Sequence, residues 1–278
     1  MQKSFQTDNP KLYLVSTPIG NLSDMTYRAI ETLKSVDIIF AEDTRNSRIL
    51  LNHYQINKPL LSYHEFNKIE QVKPILDALS DQKNVALISD AGTPGISDPG
   101  YEIVVKAIEA GFDVVAIPGA SAILAGLVSS GLIMQPFTFI GFLPRKKGDL
   151  IHKLKHYQAY GETLIIYESP LRVKKTVEAI HDIFGNRKVV FARELTKKFE
   201  TITRTNLKDA SVMTFDERGE YVILIEGFVK EVDLERSIES HVDAYIEKGY
   251  TEKDAMKAVA KDRKMTKSDV YRIYKTNQ

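Results

Sequence analysis

Short apolar runs recur along the first half of the chain: KLYLVS at 11–16, DIIFA at 37–41, PLLSY at 59–63, VALIS at 85–89, FDVVAI at 112–117 and FTFIG at 137–141. They have strand length, and the stretches between them have a helical period. Met25, Ala29, Ile30 and Leu33 mark one apolar helix face, Lys68–Leu79 is amphipathic, and Ser121–Ser130 is a third helix. Alternating strands and helices predict a mostly parallel sheet covered by helices. A second α/β set has strands at Thr163–Tyr167, Lys188–Ala192 and Tyr221–Glu226 and a helix at Leu171–Phe184 with Ser169 as cap and Pro170 in its first turn. From Val229 onward the pattern is purely helical, at about Ser237–Glu247, Glu252–Ala260 and Lys267–Tyr274. Thr251 with Asp254, and Thr266 with Asp269, are Ser/Thr-x-x-acid helix starts. The expected architecture is α/β in two domains, residues 1–143 and 144–228, with a small helix-turn-helix-like appendage over 229–278. Phe137–Gly141 is expected to close the first domain and Leu143–Gly148 to link it to the second.

Chemistry is concentrated where the early strands end. Between Asp90 and Gly100 the segment DAGTPGISDPG carries three glycines, two prolines and two aspartates, a density that neither helix nor strand tolerates. At about 2–6 residues for an ordinary βα connection, this loop is too long to be only a connection. Asp98 is the expected N-cap of the next helix, with Pro99 in its first turn. Thr17-Pro18-Ile19-Gly20-Asn21 ends the first strand, with Ser23 or Asp24 as the cap that follows. Pro118-Gly119-Ala120-Ser121-Ala122 ends another, with small residues that let a ligand approach the backbone. In open α/β sheets, ligands bind at the carboxyl ends of the strands, so these loops are expected to converge on one site. Glu42-Asp43-Thr44-Arg45-Asn46 reaches the same edge. Helix capping by Asp43 or Thr44 accounts for part of that run, and Glu42 is expected to point into the core. Asp43 ranks first as base or orienter, with Arg45 as its electrostatic partner.

Composition narrows the classes. The 278 residues are 43% hydrophobic and 27% charged, with a net charge of +1, so affinity for a polyanion must come from local patches. Arg145, Lys146 and Lys147, followed by Lys153 and Lys155, make one such patch. Seven Lys or Arg against Asp262 and Asp269 between Lys257 and Lys275 make another. Without cysteine there is no thiol nucleophile, disulfide or thiolate metal site, and His152 with His156 lacks the acid a zinc-protease motif needs, so no metal is expected. The 31 uncharged residues from Val114 to Pro144 are long enough to span a bilayer, but their prolines and glycines cut them into strand, helix and strand. Met1–Lys11 is polar, which predicts a cytoplasmic protein with no membrane partner. No G-x-G spacing exists, which excludes the dinucleotide fingerprint, and Walker A and G-x-S-x-G sequences are also missing.

Taken together and in order, VSTPIGNLSDMTYRA, AEDTRNSRILL, LISDAGTPGISDPG, IPGASA, GFLPRKKG and YESPLR closely resemble the small-subunit ribosomal RNA cytidine-2′-O-methyltransferases, a branch of the tetrapyrrole-methylase class. The resemblance runs from Leu12 to about Gly227. It implies S-adenosylmethionine (SAM) folded between two α/β domains, a homodimer, and methylation of a cytidine ribose in the decoding region of 16S rRNA within the small subunit. Carried onto this sequence, Ile19 lines the cofactor site, Asp90, Ala91, Gly92 and Thr93 hold the methionine part with Ser121 and Ala122 beside it, and Tyr167, Glu168 and Leu195 wall the nucleoside. Arg145, Lys146 and Lys147 are the expected RNA contacts. The first loop reads T-P-I-G-N, where tetrapyrrole enzymes have the glycine-richer G-x-G-P-G-D. A precorrin-type tetrapyrrole C-methyltransferase would share the fold but has no use for the basic patches. A non-catalytic nucleic-acid-binding protein would leave the converging loops idle.

Overall fold

The computed structural model describes residues 2–6, 8–229 and 236–276. Residues 230–235 and 277–278, part of the expected appendage, lie outside the described residues. The chain divides into two compact units, Met1–Phe228 and Val229–Gln278.

In chain order the first unit begins with β1 (Lys11–Val15), α1 (Tyr27–Ser35), β2 (Ile38–Ala41), α2 (Thr44–His53), β3 (Leu60–Ser62), α3 (Val72–Ser80), β4 (Val85–Ile88), α4 (Tyr101–Glu109), β5 (Asp113–Ile117) and α5 (Ala122–Ser130). The five strands form a parallel sheet in the order β3-β2-β4-β1-β5. Strand alternation supplies both of its faces. Val15, Ala86 and Ile88 pack with Ala29 and Leu33 of α1 on one side, while Leu12, Val85 and Leu87 pack with Ile75, Leu79, Ile103 and Ala107 of α3 and α4 on the other. The cap of α1 is Thr26, whose hydroxyl accepts from the Ala29 N–H, whereas Ser23 and Asp24 belong to a preceding 3₁₀ turn capped by Asn21.

The remainder of the unit is β6 (Phe137–Phe142), α6 (Lys147–Tyr157), β7 (Thr163–Glu168), α7 (Val173–Phe184), β8 (Lys188–Arg193), β9 (Thr201–Asn206), α8 (Leu207–Ala210) and β10 (Tyr221–Ile225). Their sheet runs β6-β7-β10-β8-β9, parallel between β6 and β7 and antiparallel elsewhere. Thus Phe137–Gly141 opens the second sheet and does not close the first. Its apolar run suits either sheet, and the α6 crossover pairs it with β7. The switch between sheets comes one element earlier, at α5. This helix extends from β5 of the first sheet yet buries Leu127 against Ile165, Val190, Val222 and Leu224 of the second. Leu143–Gly148 is pinned, since the Arg172 guanidinium donates to the carbonyls of Leu143 and Pro144 at 3.1 and 3.0 Å. The other face is sealed by Leu154, Val173, Val177 and Ile180 of α6 and α7. Strand β9, TITRTN, lacks an apolar run and is invisible to a hydrophobicity reading; it forms an edge beside β8. Helix α7 starts later than expected, with Arg172 at its N-cap and Ser169–Arg172 as a turn.

The second unit packs α9 (Ile238–Ile246), α10 (Glu252–Asp262) and α11 (Lys267–Thr276) around Val242, Ala255, Val259 and Val270. Thr251 and Thr266 accept from the N–H groups of Asp254 and Asp269, as their spacing predicts.

Two glycines should respond oppositely to alanine. A Cβ on Gly119 would sit 2.8 Å from Ser16 Cβ, so Gly119→Ala should cost about 1–3 kcal/mol in urea unfolding. Gly148, near the start of α6, has open space around it and an ordinary φ, so Gly148→Ala should stabilise by about 0.4–1 kcal/mol.

Candidate active site

The loop after β1 lies between the loops after β4 and β5, because β1 lies between those two strands. Thr17 and Gly92 exchange backbone hydrogen bonds of 2.8 and 3.1 Å, and the Ser16 and Thr93 hydroxyls meet at 2.8 Å. Gly92 bridges at φ +77°, in the left-handed region open to glycine, and its Cα side faces only Ile19 and the Ala120 carbonyl. Gly119 lets the third loop press directly on Ser16. The loops are therefore sewn together before any ligand arrives.

Above them is a cavity of about 410 Å³ between the two sheets of the unit, within the usual ~300–1,000 Å³ of ligand pockets. Ile19, Asp90, Ala91, Gly92, Thr93, Ser121, Ala122, Tyr167, Glu168 and Leu195 all line it. The first sheet's loops contribute the first seven, and the last three come from β7 and the segment after β8. Ser121 caps α5. Tyr167 lies edge-on to Phe139 and Phe142, and burial pushes its hydroxyl up to about 12, so it stays a neutral donor. Glu168 is buried: it accepts from the Ser169 N–H at 2.9 Å and the Thr176 hydroxyl at 2.7 Å, with Arg172 at 3.4 Å. Its main partners are thus structural.

Asp43 and Arg45 are not among the lining residues. Asp43 caps α2 by accepting from the Arg45 N–H at 2.8 Å, and its carboxylate also takes the Arg45 guanidinium at 3.1 and 2.6 Å. Those Arg45 contacts hold its carboxyl down at about 2. Arg45 is largely exposed beyond that pair. Arg145, Lys146 and Lys147 are exposed and also lie off the lining, although Phe142, three residues before Arg145, is part of it.

Residues expected elsewhere face the cavity instead. Glu42 does not enter the core; it lines the cavity, where burial first, then Asp98 and Asp90, raise its carboxyl above the ordinary range. Asp98 is no cap, because Gly100 occupies that position of α4; it too lines the cavity, raised by burial and by Asp90. Asp90 is tied to α2 by the Asp43 N–H at 3.2 Å and the Asn46 amide at 2.9 Å. Glu194, Lys197 and Glu220 complete the wall. No sequence signal marked these three, since they converge only when the segment after β8 folds back on β10. Six lining residues are acidic (Glu42, Asp90, Asp98, Glu168, Glu194 and Glu220) and one, Lys197, is basic.

A model of Tetrapyrrole (Corrin/Porphyrin) Methylases matches residues 11–211. The chain belongs to the tetrapyrrole methylase family. It is a methyltransferase, and its methyl donor is SAM. The chain is 46% identical to Ribosomal RNA small subunit methyltransferase I of Halalkalibacterium halodurans, covering 98% of each chain. It is also 46% identical to the protein of that name from Bacillus subtilis, over 100% of this chain and 99% of the other. Two solved structures share the fold: a diphthine synthase (TM-score 0.63, 14% identity, 78% of this chain and 90% of the other) and a uroporphyrin III C-methyl transferase from Thermus thermophilus (TM-score 0.55, 17% identity, 78% and 97%). The cavity fits the donor of this methylase family. Carboxylates match a sulfonium and an ammonium, and Ile19, Ala122, Tyr167 and Leu195 match a nucleoside's apolar faces.

That charge match makes donor affinity depend on pH. Glu42 and Asp98 are ionised above their raised values and neutral below them, and only the ionised forms attract a cation. SAM affinity measured by calorimetry should therefore fall as the pH is lowered from neutrality toward the carboxylate range. The combined Glu42→Gln and Asp98→Asn variant should show a flatter profile.

Proposed function

We propose that this methylase transfers the methyl group to the 2′-hydroxyl of a cytidine ribose in 16S rRNA, in the decoding region of the small subunit. The observation that carries the reading is the acidic cavity at the carboxyl ends of the parallel strands, in a chain similar over its whole length to enzymes named for small-subunit rRNA. The exposed Arg145–Lys147 patch follows the strand that carries Phe142, and the residues before it, Leu143 and Pro144, are held by Arg172 at the start of α7; it supports an RNA contact beside the cavity. Exposed lysines on α10 and α11, among them Lys257, Lys261 and Lys267, support a second contact on the C-terminal unit. An rRNA substrate sets the enzyme in the cytoplasm. Among the described residues no helix is long and apolar enough to cross a membrane.

We also propose a homodimer. Leu124 and Val128 are exposed one turn apart on α5, and Ile133 and Met134 are exposed just beyond it. An apolar patch of this kind on a small protein suits a self-complementary interface.

When bound, SAM supplies an electrophilic methyl on a sulfonium. The residues must then hold the ribose oxygen in line at about 3–3.5 Å and remove its proton. Glu42 is the base in this reading: it faces the cavity, and its raised carboxyl is better matched to accept a proton than a carboxyl near 2. Asp43 and Arg45 become positioning residues, because the Asp43 N–H and the start of α2 hold Asp90 beside Glu42.

General-base help is worth about 10²–10⁴-fold, so Glu42→Gln should lower the single-turnover rate on small subunits by that range. Asp43→Asn should lower it by less than tenfold. Charge reversal at Arg145, Lys146 and Lys147 should weaken subunit binding and flatten its salt dependence while calorimetric SAM affinity is unchanged. Methyl transfer confined to a base, read by nuclease mapping of the product, would overturn the ribose reading.

A further inference from the structure

One cation sits in the wall of an otherwise acidic cavity, and its setting is built. Lys197 follows a segment in which Glu194 and Thr196 both adopt left-handed backbone, at φ +53° and +68°. Thr196 is β-branched, and its buried hydroxyl has no hydrogen-bond partner among the described residues. Such backbone persists only where surrounding structure enforces it, and it gathers at functional sites. Here it turns Leu195 into the apolar wall and brings the Lys197 Nζ between Glu194 Oε1 at 2.8 Å and Glu220 Oε2 at 2.9 Å. The lysine stem also covers Gly20 in the loop after β1. A Cβ on Gly20 would lie 2.4 Å from Lys197 Cγ, so the glycine is there to let the stem pass. Lys197 thus reaches from a second-sheet loop to a first-sheet loop along the cavity.

An ammonium has three donors, and two of them are spent on Glu194 and Glu220. Burial alone would favour loss of its proton, but the two carboxylate hydrogen bonds outweigh it and raise the group, so Lys197 remains a cation and cannot act as the base. A cation has nothing to offer a sulfonium. The Glu194–Lys197–Glu220 triad carries a net negative charge, which disfavours a fully charged phosphate or carboxylate. A neutral hydroxyl oxygen that gains negative charge only during the reaction suits the remaining N–H, because that contact strengthens in the transition state.

We propose that Lys197 donates its third N–H to the ribose oxygen that receives the methyl, and so is a catalytic residue that stabilises the developing oxyanion. The proposal rests on the 2′-O reading above. In the step, an oxygen lone pair forms the O–C bond and the C–S pair stays on sulfur. The hydroxyl proton passes to Glu42, and Lys197 keeps its own protons.

The test uses the full-length protein, SAM and small ribosomal subunits lacking the methyl group. Lys197→Met keeps the stem over Gly20 and deletes the charge, and Lys197→Gln is the companion variant if Met does not fold. Single-turnover methylation should fall about 10²–10³-fold, with SAM affinity and half-saturation by subunits within threefold of wild type. Lys197→Arg should recover at least tenfold over the Met variant. A rate within threefold of wild type would overturn the proposal. So would a loss matched by weaker SAM binding, which would make Lys197 a holder of the donor's carboxylate. A loss confined to half-saturation, with a changed salt slope, would make it a phosphate contact and also overturn the proposal. If the wild-type enzyme places no methyl on any ribose of the subunit RNA, the 2′-O reading itself fails, whatever Lys197→Met does.

Discussion

The site depends on the seam between the loops after β1 and β4. Thr17 and Gly92 pair as a single antiparallel bridge across two parallel strands, and the Thr17 hydroxyl reaches back to the Ser89 carbonyl at 3.1 Å. This bridge consumes backbone groups that would otherwise be stranded at the end of a buried sheet. It also fixes what faces outward. Ile19 and Ala91–Thr93 are presented to the cavity because Ser16, Thr17 and Ser89, all buried, are held beneath them. Gly92 is the weak point of any substitution scheme, since a side chain there meets a strained backbone before it meets a ligand.

On that platform the electrostatics are one-sided. Six carboxylates around a cavity of about 410 Å³ are costly without a counter-charge, and burial already pushes Glu42 and Asp98 toward their neutral forms. A cationic donor relieves that cost, whereas a demethylated, uncharged sulfur relieves less of it. In the proposed site, the same charges that would attract the donor would also favour release of the product. Lys197 is compatible with this arrangement only because Glu194 and Glu220 enclose it, so its charge acts locally.

Much of this was legible in the sequence because it rests on local rules. Glycine and proline density located the loop at 90–100, small residues located the loop at 118–122, and Thr251 and Thr266 announced two helix starts through their acid partners three residues on. The six motifs, taken as a set, pointed to the family. What sequence could not supply was the direction of side chains and the pairing of distant segments. β6 joined the second sheet through tertiary pairing that its FTFIG run does not encode. Glu194, Lys197 and Glu220 came together through backbone that no propensity favours. In sequence Asp98 suits a cap, the nearest local use for it, but Gly100 takes that place in the fold.

Glu42 and Asp43 show how far such a distinction lies below the reach of pattern. They are adjacent, both acidic, and both at the end of the same strand. Asp43 turns toward the helix it begins, where the Arg45 N–H and guanidinium saturate it and hold it ionised near 2. Glu42 turns the other way into the cavity. There burial, and then the carboxylates of Asp98, Asp90 and Asp43, raise its carboxyl above the ordinary range. A single step along the chain thus separates a carboxylate that stabilises structure from one that faces the cavity with its carboxyl raised. The difference follows from which side of the strand end carries the helix and which carries the void.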